Sequence, residues 1–189
     1  MKKKSFVMVL ALVLVFAVAV GGVVAWLTDK TGSVVNTFTV GDINITLTET
    51  TGNSYKVIPG TTIDKNPKVT VEANSEACWL FVKVDKANWN DNLTYTIAGA
   101  NDWTVYKTDG NTTYYYQKVD ATGATAKEIV VLDGNAVNVS GNLAKGEITA
   151  ENQPTLTFTA AAVQQENITT VEAAFKELPN DFTGAKAAP

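Results

Sequence analysis

The chain has no histidine among its 189 residues, and this absence limits the chemistry that its side chains can perform. It removes the serine–histidine and cysteine–histidine nucleophile systems and the paired histidines of many zinc hydrolases. Carboxylates, lysines and tyrosines remain, but they form no paired-carboxylate signature and no glycine-rich phosphate-binding motif. The sequence therefore predicts a protein without catalytic residues, without a cofactor and without a bound metal.

The densest group of oxygen-bearing side chains lies between residues 85 and 92. Carboxylates and carboxamides are ligands of Ca²⁺, but the spacing of this group does not match the EF-hand loop. The same composition is typical of a solvated turn, which is the interpretation that the sequence favours. The group consists of Asp85, Asn88, Asn90, Asp91 and Asn92.

The single cysteine, Cys78, excludes an internal disulfide. It lies in the alternating segment 77–84, which predicts a strand. One face of this strand would carry Cys78, Leu80, Val82 and Val84, and the other would carry Trp79, Phe81 and Lys83. We expect Cys78 to lie in a core as a small apolar residue. An intermolecular disulfide through Cys78 is the alternative.

A group of aromatic residues follows in the second half of the chain. Such a group could form a platform for carbohydrate, but cross-strand aromatic pairing within a sheet explains it more simply. The group consists of Trp103, Tyr106, Tyr114, Tyr115 and Tyr116.

The first 25 residues have the three parts of a secretory signal peptide. Three lysines at positions 2–4 precede the apolar run 6–20, and small residues follow it. Val23 and Ala25 lie three and one residues before the expected cleavage site at Trp26. The alternative is an uncleaved membrane anchor, because the apolar segment 6–27 is long enough to span a bilayer.

The charge of the exported product excludes two classes of partner. The full chain carries 15 lysines, no arginine and 19 acidic residues. Loss of the three lysines at positions 2–4 leaves 12 cations against 19 anions, a net charge of −7. Because phosphate contacts require clustered basic residues, we expect no nucleic-acid partner. The same argument predicts weak attraction to anionic lipid, so that membrane contact would be through the uncleaved signal segment alone.

Short segments of alternating apolar and polar residues, separated by turn residues, make up most of the mature chain. This pattern predicts an all-β sandwich. The predicted strands include 43–47, 55–58, 69–71, 77–84, 93–97 and 156–162. Two further pairs of segments flank the turns 108–111 and 133–135, and each pair predicts a hairpin.

One segment of the mature chain has helical spacing. Its apolar residues lie at i, i+3, i+4 and i+7, namely Val171, Ala174, Phe175 and Leu178. Thr169 and Glu172 fit a capping box, and Pro179 would stop the helix. We expect this short helix to pack its apolar side on the sheet.

Three places in the chain carry a resemblance to a known family. The first is 21–29, a signal-peptide exit followed by an aromatic-x-x-Asp sequence, together with the Phe-x-x-Gly strand at 36–41. The second is 58–65, which leads into the strand 79–84. The third is 156–164, followed by Ala173, Ala174 and Phe175. In this order they resemble the TasA and camelysin proteins, which Gram-positive bacteria secrete with a dedicated signal peptidase of the SipW type.

The resemblance implies a jelly-roll-like β-sandwich that is a subunit of extracellular biofilm matrix fibres. In that family an N-terminal segment of one subunit can complete the sheet of the next. Carried onto this chain, the candidate donor strand comprises Trp26, Leu27, Val34, Val35, Phe38 and Val40. An unpaired sheet edge accepts such a strand through main-chain hydrogen bonds.

These expectations divide the chain into four parts: a signal peptide at 1–25, a donor segment at 26–36, a β-sandwich domain at 37–178 and a flexible tail at 179–189. Two alternatives in function remain. Camelysin-like proteins are described as surface metalloproteases, although a chain without histidine offers poor zinc ligands. The other alternative is a surface adhesin or accessory protein that does not polymerise.

Overall fold

The computed structural model describes residues 41–52, 54–99, 103–179 and 182, and the backbone of 184–186. The expected signal peptide, its cleavage residues Val23, Ala25 and Trp26, and the candidate donor residues lie outside this part of the chain. The described part contains one helix, α1 (Val171–Lys176), and eleven strands. The strands are β1 (Ile45–Thr48), β2 (Thr62–Asp64), β3 (Lys68–Val71), β4 (Cys78–Ala87), β5 (Leu93–Thr94), β6 (Thr104–Asp109), β7 (Thr112–Val119), β8 (Lys127–Val130), β9 (Ala136–Val139), β10 (Thr155–Gln164) and β11 (Gly184–Lys186).

The strands form three sheets, which confirms the all-β, sandwich-like class that the alternation predicts. The largest sheet has the order β11-β10-β4-β7-β6, and the smaller ones have the orders β1-β3-β8 and β2-β9-β5. All neighbouring strands are antiparallel except β10 and β11, which are parallel. The sheet order is not the chain order, so most partners are distant in sequence.

Strand β4 lies at the centre of the large sheet and is buried on both faces. Its two faces are those that the period of two predicts, because Cys78 and Leu80 belong to one apolar cluster and Trp79 and Phe81 to another. The first cluster, the main core, lies where the large sheet packs on β3 and β8 through residues such as Val69 and Ile129. Cys78 is fully buried there as a free thiol.

The second cluster covers the opposite face of the large sheet. Helix α1 packs on this face, with Ala174 fully buried and Phe175 5.7 Å from the ring of Phe81. The indole Nε1 of Trp79 donates to the carbonyl of Ile168 at 2.9 Å and so fixes the chain that enters the helix. The predicted packing of this helix on the sheet is therefore confirmed.

The helix begins one residue later than the capping-box pattern predicts. Thr170 is the N-cap, and its Oγ1 accepts from the backbone N–H of Ala173 at 3.2 Å. Thr169, the predicted cap, has no hydrogen bond from its side chain among those of the described residues. Two adjacent threonines make the sequence signal ambiguous, since either can cap a helix.

The hairpin predicted around 108–111 is confirmed. Strands β6 and β7 pair with Asp109 opposite Thr112, and Gly110 and Asn111 form the turn. Gly110 has φ of 56°, and a glycine with positive φ at the first central position is a feature of type II′ hairpin turns.

The hairpin predicted around 133–135 is wrong. Strand β8 pairs with β3, and β9 pairs with β2 and β5, so the two flanking segments belong to different sheets. Between the two strands, Leu132 has an extended backbone and bridges to Ile97, and a 3₁₀ turn at Asp133–Asn135 then leads into β9. The local pattern alone cannot distinguish this passage between sheets from a reversal.

The strand predicted at 55–58 is also wrong, because these residues have no ladder partner and Ile58 is 52% exposed. Of the strand predicted at 93–97, Leu93–Thr94 forms β5 and Ile97 makes an isolated bridge. At the C-terminus, where the sequence predicts a flexible tail over 179–189, the described residues include a buried Phe182 and the strand β11.

Candidate functional site

The first half of strand β10 has an edge that the described part of the chain leaves without a partner. Strand β4 pairs with β10 along its whole length, from Thr155 to Gln164. On the other side, β11 pairs only with Ala161, Ala162 and Val163. Residues 155–160, called here the open edge, therefore keep a row of backbone groups that can bond to another strand.

No ladder joins β1 to β10 in the described part of the chain, although the two strands lie close together. Four apolar residues of these two strands contact the main core and are only half-buried. They are Ile45 and Leu47 on β1, and Leu156 and Phe158 on β10. Alternating residues of the open edge, Thr155 and Thr157, are exposed on the other face. An added strand would cover this apolar surface and gain free energy from its burial.

A cleft of about 1120 Å³ opens at the start of the open edge. Three residues of the open edge, Thr155, Leu156 and Thr157, form part of its wall. Most of the remaining wall comes from the third sheet and from the loops 54–59 and 143–154, with Glu49, Lys65 and Trp89 in addition. Its apolar members include Val57, Ile63, Trp89, Leu143 and Ile148. The cleft therefore places apolar side chains directly beside the open edge of β10.

An ion pair lies in the wall of this cleft. Lys65 Nζ donates to both carboxylate oxygens of Glu49, at 2.8 and 2.9 Å, and its residue is 8% exposed. The same nitrogen lies 5.3 Å from the ring centroid of Tyr55 and 5.4 Å from that of Phe158. Because the ammonium is surrounded by aromatic rings and one carboxylate, its charge is balanced within the wall.

Tyr55 joins this ion pair to the loop above it. Its hydroxyl donates to Glu49 Oε1 at 2.9 Å and also contacts the carbonyl of Gly52. Burial raises the pKa of Tyr55, and its hydrogen bond with Thr51 partly opposes that rise, while Glu49 adds to it. The hydroxyl therefore stays protonated and holds the loop against the carboxylate.

The opposite border of the large sheet, strand β6, is protected. The register of β6 against β7 shifts between Val105 and Lys107, so that Tyr106 is a bulged residue. Tyr106 packs on Phe175 with ring centroids 4.7 Å apart, and Lys107 Nζ lies 4.5 Å from the same ring. A bulge and a lysine are features that prevent edge-to-edge pairing. Of these two borders, the open edge of β10 is the better acceptor.

Comparison with protein families, curated proteins and solved structures finds no match to this chain. Within the described residues, no helix has the length and apolar character that a membrane crossing requires.

The structure separates the group of oxygen-bearing residues at 85–92. Asp85 accepts from the hydroxyl of Thr112, whereas Asn90 and Asn92 direct their amides to Glu147 at 3.4 and 3.0 Å. Asn88 donates to the carbonyl of Gln153. Among the described residues, no three side chains of histidine, cysteine, aspartate or glutamate come together as a metal-binding group.

The aromatic group is divided between two faces of the large sheet. Trp103 and Tyr115 pack against the main core, and Tyr106, Tyr114 and Tyr116 contact the aromatic rings of the helix-covered face. The five side chains therefore do not form one platform. Cys78 lies at neither surface, and burial raises its pKa from 9.0 to about 12.

Sequence reasoning missed the ion pair and the cleft. Lys65, Glu49 and Tyr55 belong to no motif, and the two charges are separated by sixteen positions. A lysine directly before Asn66 and Pro67 reads as a solvated turn. Their association follows from the pairing of β1 with β3, which brings the two segments side by side.

Proposed function

We propose that this protein is a secreted, non-enzymatic structural subunit of extracellular biofilm matrix fibres, with a jelly-roll-like β-sandwich. Residues 26–40 of one copy add as a strand to the open edge of the next copy. The observation that carries this proposal is the open edge itself, which borders an apolar cleft and two half-buried rows of core residues.

The sequence of the donor segment supports this pairing. With a period of two, Val34, Phe38 and Val40 share one face, and Val35, Thr37 and Thr39 share the other. Strand β10 has the same division, because Leu156 and Phe158 face the core and the threonines 155, 157 and 159 alternate with them. Threonines and β-branched residues on neighbouring strands form favourable cross-strand pairs.

The geometry of such a contact leads to a filament. The donor segment and the open edge are different surfaces, so the contact is head-to-tail and does not close on itself. Each added copy again presents a free acceptor. Main-chain hydrogen bonds supply the affinity, and the apolar side chains in the cleft set the register.

Deletion of residues 26–35 tests the proposal directly. The variant is expected to fold but to remain monomeric in size-exclusion chromatography, with no fibres in negative-stain microscopy. A matched pair of point variants separates the two faces: Val34→Lys would weaken assembly, whereas Ser33→Lys, which lies on the polar face, would leave it intact. Fibres that persist in the deletion variant would refute donor-strand assembly.

Cysteine cross-linking tests the acceptor. Val35→Cys combined with Thr157→Cys is expected to give a ladder of disulfide-linked multimers, because paired residues bring Cα atoms to bridging distance. Cys78 does not compete because it is fully buried. The control is Val35→Cys with Thr108→Cys on β6. A ladder of equal intensity in the control would place the contact elsewhere.

Two rival functions are separated by simple assays. Incubation of the purified protein with casein, with and without a chelator, tests the metalloprotease reading, and chelator-sensitive cleavage would overturn the structural role. If the purified protein remains monomeric at high concentration in size-exclusion chromatography, the result would instead support a non-polymerising adhesin.

A further inference from the structure

The C-terminal strand β11 occupies the same edge of β10 that the proposed function assigns to the incoming strand. Gly184, Ala185 and Lys186 pair with Ala161, Ala162 and Val163. The open edge ends at residue 160, immediately before this contact. Along residues 155–163, the edge of β10 is thus divided between a stretch of six residues without a described partner and a stretch of three that β11 covers.

A buried aromatic residue leads the chain to this position. Phe182 is 6% exposed and packs on Tyr114, Phe175 and Phe81, with ring centroids 5.5, 6.1 and 6.5 Å away. Its backbone N–H donates to the carbonyl of Pro179 at 2.8 Å, which closes a turn after α1. Phe182 therefore holds the chain against the large sheet two residues before β11 begins.

The pairing of β11 with β10, which follows Phe182 in the chain, is short and weak. It covers only three residues and it is parallel. Parallel pairs are slightly less stable per residue than antiparallel ones, and a contact with so few backbone hydrogen bonds opens at low free-energy cost. The contact between β11 and β10 can therefore open while Phe182 stays in place.

We propose that β11 is a displaceable cap on the acceptor strand. In the free subunit it covers residues 161–163, and an incoming donor strand extends along β10 by displacing it. Displacement lengthens the available edge from six residues, 155–160, to nine, 155–163. This inference rests on the proposed function, because it concerns the regulation of the same edge.

The test uses the full secreted chain and a variant that lacks residues 184–189 but retains Phe182. Removal of the cap is expected to lower the critical concentration for fibre formation about tenfold, since three further residues of backbone pairing become available at no cost of displacement. Sedimentation of fibres at a series of protein concentrations measures this value, and microscopy identifies the product.

If the deletion variant fails to fold, two point variants provide a second test of the cap. Ala185→Pro disrupts the pairing of β11, because proline lacks an N–H and is poorly accommodated in a strand ladder, and it should act like the deletion. Ala188→Pro lies beyond β11 and should behave like the unmodified chain. An unchanged critical concentration in Ala185→Pro, or amorphous aggregates in place of fibres, would refute the cap.

The outcomes also distinguish this inference from the function on which it rests. If the unmodified chain forms no fibres, the proposed function fails and the cap fails with it. If the unmodified chain assembles and the two cap variants assemble in the same way, the cap alone is wrong.

Discussion

Lys65 and Glu49 form an ion pair in which one ammonium nitrogen donates to both oxygens of one carboxylate, at 2.8 and 2.9 Å. Their side chains are 10% and 24% exposed, and the pair lies in the wall of the cleft beside the open edge. Such a pair stabilises a fold only while both partners are present, since removal of one leaves the other charge uncompensated.

Glu49→Gln is expected to lower the free energy of unfolding by about 2 kcal/mol, because the Lys65 ammonium would remain buried without a counter-charge. Urea denaturation measures this loss. The control is Glu128→Gln, which breaks an ion pair with Lys68 at side-chain exposures of 34% and 62%. We expect the control to change stability by less than about 1 kcal/mol, since exposed pairs contribute little. Equal losses in the two variants would contradict the importance of burial here.

Thr170→Ala is expected to destabilise the protein by about 1 kcal/mol, because the N–H of Ala173 would lose its side-chain partner at the start of α1. Thr169→Ala should be nearly neutral, since Thr169 is exposed and lies outside the cap. Thermal denaturation of the two variants compares adjacent, chemically identical residues. A larger loss in Thr169→Ala would mean that the capping-box pattern of the sequence, and not the observed cap, is correct.

Stability is expected to fall as the pH rises above 9, because of Cys78. Burial raises the pKa of this thiol from 9.0 to about 12, so the folded state keeps a proton that the unfolded state releases. The stabilising contribution is complete below pH 9 and is lost progressively between pH 9 and pH 12.

Urea unfolding at pH 8, 9, 10 and 11 measures this dependence, and Cys78→Ala should make it shallower. Tyr95→Phe is the control, because burial also raises the pKa of Tyr95 to about 12 but from an ordinary value of 10.0. The loss of stability that Tyr95 causes should therefore begin about one pH unit higher than the loss that Cys78 causes. Rapid reaction of Cys78 with a thiol reagent in the folded protein would contradict the burial on which this prediction depends.

Gln117→Met is expected to stabilise the protein by about 1 kcal/mol. Gln117 is 8% exposed, and its Nε2 has no hydrogen-bond partner in the part of the chain that the structure describes. Replacement by an apolar side chain of similar length removes the cost of burying an unpaired donor. Gln164→Met on β10, where the residue is half-buried, should change the urea midpoint little. A loss of stability in Gln117→Met would show that the amide has a polar role.

The parts of the fold that depend on local periodicity could be predicted from the sequence. The alternation in 77–84 assigns Cys78 and Trp79 to opposite faces of β4, and each belongs to a separate apolar cluster. The helix and the turn at Gly110 are local in the same sense. In each case the deciding residues are within eight positions of one another.

The choice of partners could not be predicted. The segments that flank Asp133 look like two arms of a hairpin, yet β8 pairs with β3 and β9 with β2 and β5. Each of these pairings, except β5 with β9, joins residues more than fifty positions apart, and many orders of short alternating strands satisfy the same local pattern. The open edge and the cleft are consequences of that order, and this is why the candidate site had no signal in the sequence.

Because the acceptor and the donor are different parts of each subunit, every fibre would have two unlike ends. One terminus would expose the open edge of β10, and the other would expose a donor segment that has no acceptor. If preformed fibres are treated with a short synthetic peptide that copies residues 26–40, freed of unbound peptide and then supplied with fresh subunits, the first terminus is expected to stay blocked while the second grows, so that growth viewed under the microscope is one-sided.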